Sequence, residues 1–281
     1  MTTTIIKTFA KVNLSLLVYP LEKSGMHPIY SVFQNISLYD ELHISKSDTF
    51  QLTSTNKNVP TDTTNLITQI YTHVKNKLNT SFNIHLKKNI PIGGGLGGGS
   101  SNAAGFLKFL NTHQNWNLPI EELAQISIPF GSDIAFFLYG GTALVTGIGD
   151  TITPIKQKID QPILLIMPNI QCNTKKIYQS FDKIKKNNTL KNELLKHINK
   201  HHIGPNSLKE AIFSTNTLFQ ELEDFLKNKK LPLQVSGSGA CCFVLSESEN
   251  DCQNLQNTLK KEFPELITQI CSPISHGIEV A

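Results

Sequence analysis

The sequence predicts an α+β protein built of two units, and three observations carry this. Strand-like and helix-like hydrophobic patterns alternate through the first half. A glycine-rich loop, Pro91-Ile-Gly-Gly-Gly-Leu-Gly-Gly-Gly-Ser-Ser101, stands between a strand pattern and a helix pattern. After a pause at Gly147-Ile-Gly-Asp150 and Pro154, a fresh apolar run, Pro162-Ile-Leu-Leu-Ile-Met167, opens a second series of elements. The division falls at about residue 155, giving units of 1–154 and 155–281 in a chain of 281 residues.

Each element follows from its local pattern. Thr4–Val18 is rich in β-branched residues and reads as one or two strands, with a further extended region over 31–45. Leu66, Ile67, Ile70, Tyr71, Val74 and Leu78 recur at helical spacing, predicting a helix over 65–78 capped by Thr63 or Thr64. Phe82–Lys87 alternates as a half-buried strand. A helix over 101–110 follows the glycine loop, and Pro119 opens a short one over 120–126. In the second half helices are expected over 174–186, 190–200 and 206–227. Strands follow at 233–236 and 241–245, then a helix over 250–262 and a last strand near 267–272.

Composition narrows the class. The chain is 39% hydrophobic and 17% charged, as ordinary globular proteins are. No apolar run approaches the roughly 20 residues of a membrane helix. The first residues lack the basic start and apolar stretch of a signal peptide, so a cytoplasmic protein without membrane association is expected. The 5 cysteines are odd in number and none has C-x-x-C spacing, which argues against a disulfide framework or a zinc site. Cys241 and Cys242 lie in an apolar run and read as core. All 26 basic residues are lysine, against 22 acidic ones. A phosphate site here must therefore rely on backbone N–H groups, lysine and metal, because no arginine fork is present. The lysine-rich run Lys183–Lys200, followed by His201 and His202, is interrupted by Glu193 and has no aromatic ladder. It reads as a solvated helical face, and no nucleic-acid partner is expected. A monomer or a homodimer is consistent with the composition.

Strand, glycine loop and helix in that order place unpaired backbone N–H groups at a helix N-terminus, where the dipole favours an anion. Glycine lets the backbone come close to phosphate oxygens, and Ser100 and Ser101 add hydroxyls that can donate to phosphate or hold Mg²⁺. A flexible linker is a poor reading, because an apolar helix follows directly. A Walker A loop fails, since Gly99 is followed by Ser100 and not Lys. A dinucleotide fingerprint matches formally at Gly93, Gly95 and Gly98, yet six glycines in seven positions make that match cheap. Glu121 and Glu122, the acidic residues it would need, fall in a predicted helix.

The loop resembles the central motif of the GHMP kinase superfamily. Ala10-Lys-Val-Asn-Leu14 is similar to that family's N-terminal motif, and Val235-Ser-Gly-Ser-Gly-Ala-Cys241 to its C-terminal glycine motif. The three lie in the right order across nearly the whole chain. Gly25-Met-His27, Gly93–Ala104 and Gly131-Ser-Asp-Ile-Ala-Phe136 further resemble the branch that phosphorylates a cytidyl diphosphate small molecule. The resemblance implies the two-domain α+β GHMP kinase fold. Its N-terminal domain is like ribosomal protein S5 domain 2, and its C-terminal domain is ferredoxin-like. It also implies γ-phosphate transfer from ATP with Mg²⁺ to a hydroxyl of an isoprenoid precursor. Rival readings are another small-molecule kinase of the family, of homoserine or mevalonate type, and a non-catalytic binding protein on the same fold.

Residue roles follow from both arguments. An alcohol attacking phosphorus must lose its proton, and charge must be neutralised. Asp133 is a helix cap or a base by position; the resemblance favours the base. Lys11, in an otherwise apolar strand, either snorkels to water or pairs with Asp133; the resemblance favours the pair. Asn13, two residues on, shares its strand face. The resemblance places ATP on Pro91, Gly93, Gly94, Gly95, Leu96, Gly97, Gly98, Gly99, Ser100 and Ser101. It places Mg²⁺ at Ser100 or Ser101, and adenine by Asn65 and Leu66. It sets His27 against the cytosine ring with Tyr178 as the stacking partner. Met26 stands where the family has tyrosine, which removes one aromatic partner. Gly237 and Gly239 either approach the substrate diphosphate or form a structural turn.

Overall fold

The computed structural model describes residues 2–156, 159–184 and 203–280. The expected helix over 190–200, and the lysine run from 185 onward, lie outside the described residues.

Two sheets organise the chain. The first has seven strands. β1 (Thr4–Val18) pairs antiparallel with β2 (Ile29–Ser47) along its whole length. β2 also pairs with β4 (Ser81–Lys87) and with β5 (Thr142–Thr146). β3 (Gln51–Ser54) runs parallel to β4, and β6 (Thr151–Pro154) closes a hairpin with β5 around the turn at 147–150. The second sheet is antiparallel, in the order β10 (Ile267–Cys271), β7 (Ile163–Met167), β9 (Cys242–Leu245), β8 (Gln234–Val235). The chain then returns to the first sheet, where β11 (Ile278–Val280) pairs with β1.

Three apolar clusters hold these sheets. One lies under the first sheet, where α1 (Leu66–Val74), α2 (Gly98–His113) and Phe82, Phe106 and Phe136 pack. One lies under the second sheet and takes Leu164 and Ile166 of β7. The third joins the units: Ala10, Val12 and Leu14 of β1 meet Ile163, Leu165 and Met167 of β7 and Phe243 of β9. β7 is thus covered on both faces, which is why its sequence is a continuous apolar run rather than an alternating one.

Several boundaries differ from the sequence reading, each for a local reason. The first helix is capped by Asn65, not Thr63 or Thr64: its Oδ1 accepts from the Ile67 N–H at 2.9 Å. Such a cap stabilises the helix by about 1 kcal/mol. The expected helix over 206–227 is two, Lys209–Phe213 and Leu218–Asn228. Between them Ser214 and Thr215 donate their hydroxyls back to Ala211 and Ile212 carbonyls, and Asn216 Oδ1 accepts from Leu218 N–H. These side chains compete with the helical ladder. The short strands β3, β5, β6 and β11 were not anticipated: β3, β5 and β11 pair with strands distant in sequence, and β6, of 4 residues, forms through its hairpin with β5. Among the described residues no helix is long and apolar enough to cross a membrane.

Candidate active site

A cavity of about 750 Å³ opens between the two units. Its floor is β1, whose exposed-face periodicity is broken: residues 10–15 are all buried, polar ones included. Lys11 and Asn13 carry polar groups toward a face where other sheets place water-facing residues; past the bulge between Asn13 and Ser15 it is Leu16 that lines the cavity. Here that face is covered by the glycine turns.

The loop at 93–97 sits on β1 through the Lys11 N–H, which donates to the Leu96 carbonyl at 3.0 Å. Gly93, Gly95 and Gly97 have φ of 69°, 73° and 70°, a region that favours glycine. Gly93, Gly95, Gly97 and Ser100 line the cavity. Gly99 has open space where a Cβ would stand. Leu96 is buried and anchors the loop, Gly94 lies against the Cys241 thiol, and Gly98 lies against the Lys88 ammonium. Pro91 stands beside Gly94. The C-terminal turn meets the loop directly: Ser236 Oγ donates to the Gly95 carbonyl at 2.9 Å, and Cys241 N–H donates to the Gly94 carbonyl at 3.1 Å. Gly237 lines the cavity, whereas Gly239 packs against Ile212 and Cys172.

Lys11 and Asp133 face each other across this floor, Nζ to Oδ2 at 3.9 Å. The lysine side chain is 4% exposed and the carboxylate 32%. Burial drives the Lys11 pKa below its ordinary value, and Asp133 opposes that shift without cancelling it. Nζ donates to Asn13 Oδ1 at 2.5 Å and lies 4.5 Å over the Phe33 ring. Asn13 is oriented in turn by Ser31, its Nδ2 donating to Ser31 Oγ at 2.9 Å. Asp133 occupies the cap position of the helix Ile134–Tyr139, yet its side chain makes no capping hydrogen bond. The carboxylate therefore stays available to the cavity.

At the far end His27 and Tyr178 stand with ring centroids 5.2 Å apart. His27 Nδ1 is 2.8 Å from the Tyr19 carbonyl, which can only accept, so that nitrogen carries the proton. Nε2 points toward Asp182, 3.4 Å away. The Tyr178 hydroxyl is pushed up to about 12, by burial first and by Asp133 second. Met26 is half exposed on the same wall.

The two hydroxyls proposed for Mg²⁺ separate in space. Ser101 is fully buried and donates to the Phe9 carbonyl at 2.7 Å; Ser100 stands on the cavity wall. Ser100 offers a hard hydroxyl oxygen of the kind Mg²⁺ takes. Leu66 lines the cavity, while Asn65 is occupied by capping and by the Pro60 carbonyl. Phe33, Ser31 and Ser236 escaped the sequence reading. The register of β1 with β2, which sets Asn13 opposite Phe33, is the signal that brings in Phe33 and Ser31; Ser236, part of the C-terminal glycine motif, reaches Gly95 through the fold.

Comparison with known proteins agrees with this geometry. The GHMP kinases N terminal domain family matches residues 65–141, and the GHMP kinases C terminal family matches residues 184–265. A 4-diphosphocytidyl-2-C-methyl-D-erythritol kinase of Clostridium tetani is 34% identical over 280 residues, covering 93% of this chain and 97% of that one. A crystal structure of a 4-(cytidine 5'-diphospho)-2C-methyl-D-erythritol kinase superposes with a TM-score of 0.76 at 25% identity. It covers 95% of this chain and 99% of that one. A homoserine kinase from Cytophaga hutchinsonii superposes at 0.78 with 16% identity, covering 100% of this chain and 98% of that one, a likeness of fold alone. Two sheets joined over one cavity, a glycine loop on β1 and relatives matched over nearly their whole length lead to one conclusion: the chain belongs to the GHMP kinase family, on the branch of the 4-diphosphocytidyl-2-C-methyl-D-erythritol kinases.

Proposed function

We propose that this chain transfers the γ-phosphate of ATP to the 2-hydroxyl of 4-diphosphocytidyl-2-C-methyl-D-erythritol, giving the 2-phosphate and ADP. The observation that carries the reading is the meeting of buried Lys11 and Asp133 at 3.9 Å beside the glycine loop, in a cavity with an aromatic far end. Its division into units of 1–154 and 155–281 stays part of the proposal, with β11 returning to the first sheet.

The chemistry assigns one task to each group. The backbone N–H groups of the loop and the first turn of α2 hold the phosphates, since no arginine is available. The substrate hydroxyl lies between Lys11 and Asp133. Its oxygen attacks the γ-phosphorus, its proton passes to the Asp133 carboxylate, and the bond to the β-phosphate oxygen breaks to release ADP. The Lys11 ammonium neutralises charge on the attacking oxygen; Asn13 and Phe33 fix its position. Ser100 is the hydroxyl that would hold Mg²⁺, which when bound would supply charge neutralisation at the phosphates. Tyr178 and His27 take the cytosine. The Tyr19 carbonyl, accepting from Nδ1, holds the His27 ring in place against the base.

The test is ADP release with ATP and Mg²⁺, comparing three alcohols: the cytidyl substrate, homoserine and mevalonate. Turnover confined to the cytidyl substrate is expected. Turnover with homoserine or mevalonate instead would overturn the substrate and leave the family intact.

A further inference from the structure

A charged residue with no part in the chemistry lies under the phosphate loop. Asp40 sits on β2 in the sequence Leu38-Tyr-Asp-Glu-Leu42-His-Ile44, where every second residue faces inward. Leu38, Leu42 and Ile44 obey that alternation; Asp40 obeys it too, and is completely buried. A lone carboxylate there is costly, so its partners are informative.

Those partners are the two ends of the glycine loop. Oδ1 accepts from the Asn89 N–H at 2.7 Å and the Ile90 N–H at 2.8 Å, the last residues before Pro91. Oδ2 accepts from Asn102 Nδ2 at 2.9 Å, one turn into α2, and from the Lys88 ammonium. Asn102 Nδ2 also donates to Thr8 Oγ1 on β1 at 2.8 Å. The Lys88 ammonium in turn rests where a Cβ on Gly98 would stand. One carboxylate thus ties the entry of the loop, its exit and the strand that carries Lys11.

We propose that Asp40 is a positioning residue for ATP: it fixes the separation of residues 88–90 from the first turn of α2 and so presets the cradle of backbone N–H groups. The proposal rests on the phosphate reading of the loop. Loop residues 93–97 have little side-chain packing of their own, since four of the five are glycine and Leu96 alone has a side chain to bury. Their shape must be imposed from outside, and pre-ordering a loop removes its ordering cost from binding.

A structural role alone predicts lost stability and unchanged ATP affinity, so the two must be read separately. Asp40→Asn keeps the shape and strands the Lys88 charge; the double variant Asp40→Asn, Lys88→Met removes that stranded charge as well. Asn102→Ala leaves the ion pair intact and cuts the tie to α2, together with the hydrogen bond from Asn102 to Thr8. Melting temperature, and the Kd of a non-hydrolysable ATP analogue by calorimetry, are measured for all. In the double variant melting should recover relative to Asp40→Asn while the analogue Kd stays raised about 10-fold or more; Asn102→Ala should weaken the analogue several-fold. Wild-type affinity in both the double variant and Asn102→Ala overturns the positioning role. A wild-type chain that binds no ATP analogue overturns the phosphate reading and this role together.

Discussion

At the scale of single residues, Lys11 shows function set against stability. Its lowered pKa means that the unfolded chain holds the proton more tightly than the folded one. The resulting deficit is present in full below the folded pKa and is relieved as pH rises toward the ordinary lysine value of 10.5. Lys11→Met should therefore raise the melting temperature at neutral pH while cutting turnover at least about 100-fold. A loss of both would show that the ammonium is structural. If Lys11 acts protonated, the alkaline limb of kcat/KM lies below 10.5, and Asp133→Asn moves the limb of the residual activity further down. Tyr178 separates stacking from ionisation. With its hydroxyl pushed up to about 12 it stays neutral at working pH, so Tyr178→Phe should leave KM and the pH profile unchanged. Tyr178→Ala should raise KM for the cytidyl substrate about 10-fold, a stacking loss of roughly 1–3 kcal/mol, without altering KM for ATP.

At the scale of elements, the glycine loop is a contact as well as a cradle. A Cβ on Gly95 would stand 2.1 Å from the Ser236 carbonyl oxygen, and its φ is 73°. Gly95→Ala must push the loop off the C-terminal turn, and should lower the melting temperature sharply and abolish turnover. Gly99 has ordinary φ, lies inside α2 and faces open space. Gly99→Ala should leave the fold unharmed and stabilise it by up to about 1 kcal/mol, because alanine favours the helix. Thermal melts of the two variants check this; equal effects would contradict the contact. Much at this scale was legible in the sequence. The glycine loop, β7 and α1 announce themselves through composition or periodicity, and the roles of Lys11 and Asp133 through the resemblance to the GHMP kinases. Asp40 was not singled out in the sequence; its burial and its partners at both ends of the loop emerge only in the fold. What was not legible depended on pairing across the chain: β11 needs β1, β3 needs β4, and Asn13 meets Phe33 and Ser31 only through register. The split at 214–217 depended on side chains that compete with the backbone, a choice that helical periodicity does not register.

At the scale of the whole molecule, the apolar layer between β1 and β7 makes the two units one body around the cavity. Leu165, Met167 and Phe243 are shared core, so the units should unfold together. Trp116, the single tryptophan, packs on the first unit's core and reports that unit alone. Its fluorescence and the far-ultraviolet circular dichroism of the whole chain should give coincident thermal transitions; separated transitions would show independent units. The same layer explains how Asn13, on a strand of the first sheet, is held against a turn of the second.

The central claim is that Lys11 and Asp133 act as one unit on the hydroxyl of a cytidyl diphosphate substrate. The most direct measurement is steady-state ADP release, with ATP, Mg²⁺ and 4-diphosphocytidyl-2-C-methyl-D-erythritol. It compares the wild type, Lys11→Met, Asp133→Asn and the double variant, all confirmed folded. The account predicts that each single change lowers kcat by at least about 100-fold and that the double change costs little beyond the worse single one. Losses that multiply, or near-wild-type turnover in either single variant, would contradict it.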